Sequence, residues 1–155
     1  MDDLPEPAPW PIRLVSEGEW AGWTQFTADP FEEHAGPFFY RRENDGSIRC
    51  AMRVEHKHLN GGHFVHGGAL MTFADYCLFA LALDALSGGP AVTATFNSEF
   101  IASVGAGALI ECTGEVLRST RHLIFVRGLL QSGGEPIFAF SGTLKRIRLT
   151  AADRP

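Results

Sequence analysis

Hydrophobic and polar side chains alternate along much of the second half of the chain. Four segments bounded by turn residues suit β-strands: Ala91 to Ala102, Ala108 to Leu117, His122 to Gln131 and Pro136 to Arg148. The first has apolar residues on one face and polar residues on the other: Val92, Ala94, Phe96 and Phe100 against Thr93, Thr95, Asn97 and Glu99. Such alternation predicts a half-buried strand. Because the connecting segments are short, we expect neighbouring strands to run antiparallel.

The segment ahead of these strands, from His66 to Leu86, is apolar nearly all round and predicts one long helix that ends at Ser87-Gly88-Gly89-Pro90. A helix without a polar face belongs inside a protein. A membrane span is the alternative for so apolar a stretch, but Asp75 and Asp84 interrupt it, and carboxylates are costly in lipid. We therefore predict a buried core helix.

Shorter elements precede this helix. Pro37 to Arg42 and Ser47 to His56 suit strands, and Glu43-Asn44-Asp45-Gly46 between them has the chemistry of a hairpin turn. A capping serine followed three residues later by glutamate predicts a short helix from Ser16 to about Trp23. The proline-rich first dozen residues predict an extended arm, with Trp10 as its anchor.

In chain order, a hairpin, a long buried helix and four antiparallel strands predict the α+β class, with one antiparallel sheet wrapped around a central helix. With 155 residues, the chain suits one domain. We predict an N-terminal arm over residues 1–15, the domain over 16–148 and a C-terminal tail over 149–155.

Composition and charge narrow the function classes. The net charge of -5 argues against nucleic acid as a partner. Cys50, Cys77 and Cys112 form no Cys-x-x-Cys pair, which suits a reduced intracellular protein. The acidic, proline-rich start differs from a signal peptide. We therefore expect a cytoplasmic protein that does not associate with membranes.

A glycine- and histidine-rich segment before the helix carries the most specific motif. Asn60 lies six residues before His66-Gly67-Gly68, and Asp75 follows the histidine by nine. This spacing resembles the PaaI-like branch of the hotdog-fold acyl-CoA thioesterases, and the resemblance runs from about Phe38 to Ile147. It implies hydrolysis of a CoA thioester to free acid and CoA without a cofactor, by a homodimer that often forms homotetramers. His63 departs from the family pattern, because relatives often have glycine there.

The chemistry of the motif agrees with this resemblance. The first N–H groups of a helix lack intrahelical acceptors, so those of Gly67 and Gly68 can polarise a carbonyl, and the resemblance makes Gly67 the principal donor. Asp75 can attack the thioester or take a proton from water. There are structural alternatives for both groups. The glycines could serve tight packing, and Asp75 could bond to Thr72 or to a neighbouring subunit.

The spacing of the two groups has a consequence for assembly. Gly67 and Asp75 are eight residues apart, which is roughly 12 Å along a helix. One thioester carbonyl cannot contact both within one chain. We therefore expect one subunit to polarise the carbonyl and its partner to supply the carboxylate.

Other side chains are candidates for supporting roles. The Asn60 amide can approach the thioester or an attacking water, or can cap its own loop. The resemblance implies that Thr93 lies near the acidic residue, where relatives carry a serine or threonine hydroxyl, and that it could orient water. Alternatively, Thr93 simply faces outward from its strand. We expect His66 to hold the loop rather than to transfer protons.

Binding of CoA requires a local basic patch on this acidic protein. Arg118-Ser119-Thr120-Arg121-His122, at a strand turn, is the first candidate, and Lys145-Arg146-Ile147-Arg148 is the second. Phe79 and apolar side chains of the facing strands are expected to line the acyl pocket.

Three rival interpretations remain at this stage. Histidines cluster before the helix, at His56, His58, His63 and His66, and could bind a metal, although their spacing matches no common zinc pattern. The domain could also bind acyl-CoA without hydrolysis. A dehydratase of the same fold is less favoured, because its usual His and Asp pair does not match this helix.

Overall fold

An eight-stranded antiparallel sheet packs around one long helix in the structure, a computed structural model that describes residues 10–148. The strands are β1 (Ile12–Leu14), β2 (Thr24–Phe26), β3 (Phe39–Arg42), β4 (Ile48–Arg53), β5 (Ala91–Phe100), β6 (Leu109–Ser119), β7 (Leu123–Ser132) and β8 (Glu135–Arg146). The helices are α1 (Pro30–Ala35), α2 (Gly67–Leu81) and α3 (Leu83–Leu86). The strand order is β1-β2-β3-β4-β6-β7-β8-β5, which confirms the predicted fold class.

The helix α2 forms the centre of the core. Phe73, Cys77 and Leu78 have no exposed surface, and the helix contacts strands β4 to β8. Gly142 of β8 allows this close approach, because a Cβ there would lie 2.6 Å from Leu78 Cδ1. The three cysteines are buried as free thiols. Within residues 10–148, no helix combines the length and the apolarity that crossing a membrane requires.

The predicted long helix is interrupted near its end. Ala82, with φ of -92° and ψ of 7°, separates α2 from the short α3. The Arg146 guanidinium donates to the carbonyl of Ala85 at 2.6 Å. A side chain from the last strand therefore satisfies part of the helix end.

The prediction of a helix from Ser16 to Trp23 is wrong. Turns occupy this segment, and Gly18 and Gly22 have φ of 75° and 86°, which a right-handed helix does not allow. The turns instead bring Trp20 onto the outer face of the sheet, where its ring stacks on Phe39 with centroids 4.1 Å apart. Trp20 and Trp23 thus belong to a small second hydrophobic cluster with Phe39 and Ala51.

The predicted arm contributes a strand to the sheet. Its residues 1–9, like the predicted tail 149–155, lie outside the described residues. Beyond them, β1 pairs with β2 across the boundary predicted at residue 15. Trp10 does contact the domain, with its ring centroid 5.6 Å from Phe26 and 5.5 Å from Phe79.

In β5, the first of the four long strands, the residues that face the core are not the ones predicted. β5 lies at the edge of the sheet and pairs only with β8, and the pairing register shifts between Thr93 and Thr95. As a result, Thr93 and Phe96 are both half-buried, whereas Val92 is 44% exposed. A β-bulge changes which residues face the core, and the apolar and polar alternation of the sequence does not reveal it.

The packing of α2 on the sheet predicts a specific sensitivity at Gly142. In Gly142→Ala, the new Cβ would lie 2.9 Å from the backbone oxygen of Thr95 as well as against Leu78. We expect a loss of about 1–3 kcal/mol in the free energy of unfolding, measured by urea denaturation. Gly61→Ala is the control, because a Cβ at Gly61 meets nothing within 4 Å. Equal stability of the two variants would contradict the packing argument.

Candidate functional site

The start of α2 presents one unpaired backbone donor. His66 caps the helix, and its Nδ1 accepts a hydrogen bond from the Gly68 N–H at 2.8 Å. Among residues 10–148, the Gly67 N–H has no acceptor. Of the two glycine donors considered from the sequence, Gly67 therefore remains available, while His66 and Gly68 hold each other in the cap.

The ring of Phe100 lies against the same glycine. A Cβ on Gly67 would be 2.9 Å from Phe100 Cε1, so a side chain there would displace the ring. Phe100 belongs to the edge strand β5 and is 59% exposed. The glycine thus serves close packing in addition to leaving its N–H uncovered.

The loop before α2 is shaped by Asn60. Its Oδ1 accepts from the N–H groups of Gly62 at 2.8 Å and Phe64 at 3.2 Å. Asn60 therefore caps its own loop, which is the structural alternative considered from the sequence. Its side-chain amide nitrogen has no acceptor within residues 10–148. His63 has φ of 63°, in the left-handed region that favours glycine. Glycine would adopt this conformation without strain, whereas this chain adopts it with a histidine.

Asp75 is held by the sheet rather than by its own helix. The Thr93 hydroxyl donates to Asp75 Oδ1 at 2.6 Å, whereas Thr72 donates to the Gly68 carbonyl. The alternative of an Asp75–Thr72 bond is therefore wrong. Burial raises the pKa of Asp75 above its usual range, the Thr93 hydrogen bond opposes this rise, and the charge of Asp29 adds to it.

Glu32 and Tyr76 are polar groups near Asp75 that the sequence interpretation missed. Burial raises the pKa of Glu32 to about 8, and the charges of Asp29 and Asp75 add to the rise. The hydroxyl of Tyr76, which follows Asp75 in α2, is buried without a partner in the described part of the chain. Asp29 caps α1 and Pro30 begins it, so this helix carried a recognisable start signal.

The two basic candidates for binding CoA differ in their availability. Arg118 and Arg121 are exposed, and within the described range their guanidinium groups make no hydrogen bond or ion pair. Arg146 instead donates to Ala85 and to Ser119 Oγ, so it supports the fold. Arg118 and Arg121, near the β6–β7 turn, are thus available to a ligand, whereas Arg146 on β8 has a structural role.

Phe79 is half-buried, and the Trp10 ring packs against it. The predicted acyl-pocket residue is therefore covered on one side by the N-terminal segment. Trp10, the predicted anchor of the arm, therefore packs against Phe79, which is predicted to line the acyl pocket. Both rings lie in the same aromatic cluster as Phe26.

The histidines do not form a metal site. His56–His58 form a 3₁₀ turn rather than the end of a strand. His58 accepts from the Glu55 N–H at 2.9 Å and donates to the Ala35 carbonyl at 2.6 Å, while His66 caps α2. Nowhere in residues 10–148 do three His, Cys, Asp or Glu side chains converge as metal ligands.

Comparison with known proteins agrees with the fold. The family model described as "Thioesterase superfamily" matches residues 62–137. The protein named "Putative esterase PA0474" from Pseudomonas aeruginosa is 30% identical over 118 residues, which are 76% of this chain and 88% of that protein.

Two solved structures are also similar. A mutant of the phenylacetic acid degradation protein PaaI from Thermus thermophilus is 30% identical, with a TM-score of 0.65, over 77% of this chain and 100% of that one. A hypothetical thioesterase with coenzyme A from Streptococcus pneumoniae has a TM-score of 0.65 at 16% identity, covering 74% of this chain and 89% of that one. This last similarity concerns the fold alone.

The cap at the start of α2 leads to a test of His66. His66→Ala removes the acceptor of the Gly68 N–H, and we expect a loss of about 1 kcal/mol in the free energy of unfolding. His66→Asn should keep most of the stability, because an amide oxygen can accept the same bond. Urea denaturation of both variants measures the difference. If asparagine destabilises the protein as much as alanine does, the imidazole does not act as a cap.

Proposed function

The chain belongs to the thioesterase superfamily, and from this premise we propose that it hydrolyses acyl-CoA thioesters to free acid and CoA. The observation that carries the proposal is Asp75, a carboxylate held by Thr93 within an apolar helix. A half-buried carboxylate of raised pKa is costly to keep for structure alone, and such groups are concentrated at catalytic sites.

Asp75 has one oxygen free for chemistry. Oδ1 accepts from Thr93, and Oδ2 accepts no hydrogen bond from the described residues. Asp75 can take the proton of an attacking water, or it can attack the carbonyl carbon itself and form a mixed anhydride that water then hydrolyses to the free acid. The CoA thiolate leaves in either case. In the first route, the Thr93 hydroxyl fixes the orientation of the carboxylate toward the water. Its raised pKa makes the carboxylate a stronger base than an exposed aspartate.

The Gly67 N–H is proposed as the donor that stabilises the oxyanion. It lies at the positive end of the α2 dipole and is not used by the fold. The Asn60 amide nitrogen is free as a second donor, toward the carbonyl or the attacking water. The thioester carbonyl would thus meet preorganised hydrogen-bond donors near the N-terminus of α2.

We propose that a second copy of the chain completes each site, because Gly67 and Asp75 are two turns apart on one helix. The edge strand β5 offers unpaired backbone groups, and exposed apolar side chains surround it and the start of α2. They are Phe64, Met71, Val92, Phe100 and Ile101. A homodimer would cover this surface, and two such dimers would form the expected homotetramer.

The phosphates of CoA are assigned to Arg118 and Arg121. Both are exposed and unpaired in the described part of the chain, and arginine binds phosphate oxygens through two parallel N–H bonds. Ser119 and His122 lie at the same turn. The rival proposal, an acyl-CoA binding protein without turnover, would use these arginines equally but leaves the placement of Asp75 unexplained.

Asp75→Asn provides the first test of the proposal. We expect kcat to fall by about 100-fold or more while acyl-CoA still binds, because the amide can neither accept a proton nor attack. Release of free thiol from a panel of acyl-CoA substrates measures kcat. Asp84→Asn is the matched control, because Asp84 is exposed and pairs with Arg42. Turnover like that of the native enzyme in Asp75→Asn would refute the assignment, and binding without turnover in the native protein would favour the rival.

The shared site can be tested by mixing two inactive variants. Gly67→Pro removes the N–H at a helix position that favours proline, although its ring also adds a Cβ beside Phe100, and it should reduce kcat by about 100-fold or more. Coexpressed with Asp75→Asn, it forms mixed dimers in which one of the two sites is intact. Random pairing should then restore about a quarter of the native turnover.

The control for this test is Gly67→Ala, which adds a Cβ near Phe100 but keeps the N–H. It should retain most of the activity. If each site lay within one chain, mixing would restore no turnover. The same conclusion would follow from light scattering that shows an active monomer.

A further inference from the structure

One face of α2 is left partly open by the described part of the chain. Gly68 is exposed, and Thr72, Asp75 and Phe79 are half-buried, whereas the other residues of the range 73–80 are buried. Spacings of four, three and four residues place these four positions side by side along the helix. They form one continuous strip of surface, which we call the open stripe, and the proposed reacting carboxylate lies within it.

The open stripe has a wall on each side. On one side, Thr93 of β5 donates a hydrogen bond to Asp75, and β8, the neighbour of β5, contacts Leu78. On the other side, the ring of Tyr76 contacts Phe26 of β2, with centroids 5.3 Å apart. Because successive residues of a helix are about 100° apart, Leu78 and Tyr76 point to opposite sides of the stripe. The stripe is therefore the floor of a groove along α2.

Trp10 covers the C-terminal end of this groove. Its ring centroid lies 5.5 Å from that of Phe79, on the floor, and 5.6 Å from that of Phe26, on the wall. The backbone beside it is fixed, because the Pro11 carbonyl accepts a hydrogen bond from the Thr27 N–H at 2.9 Å. The indole is thus held over the groove by ring packing and by an anchored backbone.

The two directions along the groove from Asp75 differ in polarity. Toward the start of α2 lie the hydroxyl of Thr72 and the exposed Gly68, whereas toward its end lie the rings of Phe79 and Trp10. Burial of an acyl chain is favourable by about 0.8 kcal/mol for each methylene group. The apolar chain of a thioester held at Asp75 is therefore directed toward Phe79.

The distance from Asp75 to Trp10 limits the length of that chain. Phe79 follows Asp75 by four residues, which is about 6 Å along the helix. Because C–C bonds are about 1.5 Å long, an extended chain advances by about 1.3 Å per bond and reaches the indole after about four or five bonds. We infer that Trp10 ends the acyl subsite and selects linear acyl groups of about four to six carbons. The inference rests on the proposed function and specifies its substrate class.

Linear saturated substrates from acetyl-CoA to dodecanoyl-CoA test the inference. For the native protein, we expect kcat/KM to be highest near hexanoyl-CoA and about tenfold lower for decanoyl-CoA, because the longer chain collides with the indole. Trp10→Ala should raise kcat/KM for decanoyl-CoA by about tenfold and change that for hexanoyl-CoA by less than about threefold. An optimum that stays in place in Trp10→Ala would overturn the inference.

Three further variants separate chain-length selection from a general loss of stability. Trp20→Ala removes the same side chain from the outer face of the sheet, where it stacks on Phe39, and should leave the optimum unchanged. Trp10→Phe keeps a ring and should give an intermediate optimum. Phe79→Trp fills the groove and should favour shorter chains, which tests the contact even if Trp10→Ala does not fold. A shift in Trp20→Ala as large as that in Trp10→Ala would contradict the inference.

A binding measurement distinguishes failure of this inference from failure of the proposed function. Bromine quenches tryptophan fluorescence on contact, so ω-bromohexanoyl-CoA bound to Asp75→Asn should quench more than hexanoyl-CoA does. Addition of Trp10→Phe should remove this difference. Equal quenching with and without Trp10 overturns the inference even if the native protein hydrolyses every thioester. An absence of hydrolysis by the native protein counts against the proposed function, whereas quenching that requires Trp10 still supports the subsite.

Discussion

The burial of α2 against the sheet is the constraint on which the rest of the structure depends. Removal of this largely apolar helix from water favours the fold through the hydrophobic effect, and strands β4 to β8 supply the covering surface. Close contact is possible because Gly142 leaves room for Leu78. A carboxylate on such a helix cannot be fully hydrated. Asp75 therefore obtains its hydrogen bond from Thr93 of the sheet.

The chemically useful groups occur where this burial is incomplete. The N–H of Gly67 is free because the helix begins there, and because His66 accepts a hydrogen bond only from the Gly68 N–H. The edge strand β5 is exposed because only β8 pairs with it. The regular rise of α2 then separates Gly67 from Asp75, so the same helix that buries the core favours a site shared between two copies.

Much of the fold follows from local patterns. The β3–β4 hairpin, the long helix and the last four strands have strong periodicity and clear turn residues, so the sequence predicts their type and order correctly. Around Ser16, the capping pattern predicts a helix that does not form, because Gly18 and Gly22 adopt positive φ values and form turns. The short β1 and β2 carry too few residues to show any period.

By itself, the sequence determined the architecture and the candidate groups Gly67 and Asp75, because helix starts, apolar periods and buried carboxylates are expressed over a few neighbouring residues. Only the tertiary structure decided the partners of those groups. A bulge in β5 turns Thr93 toward Asp75, and the chain path brings Trp10 onto Phe79 of α2. Such contacts depend on register and on packing between distant segments, which no local pattern encodes.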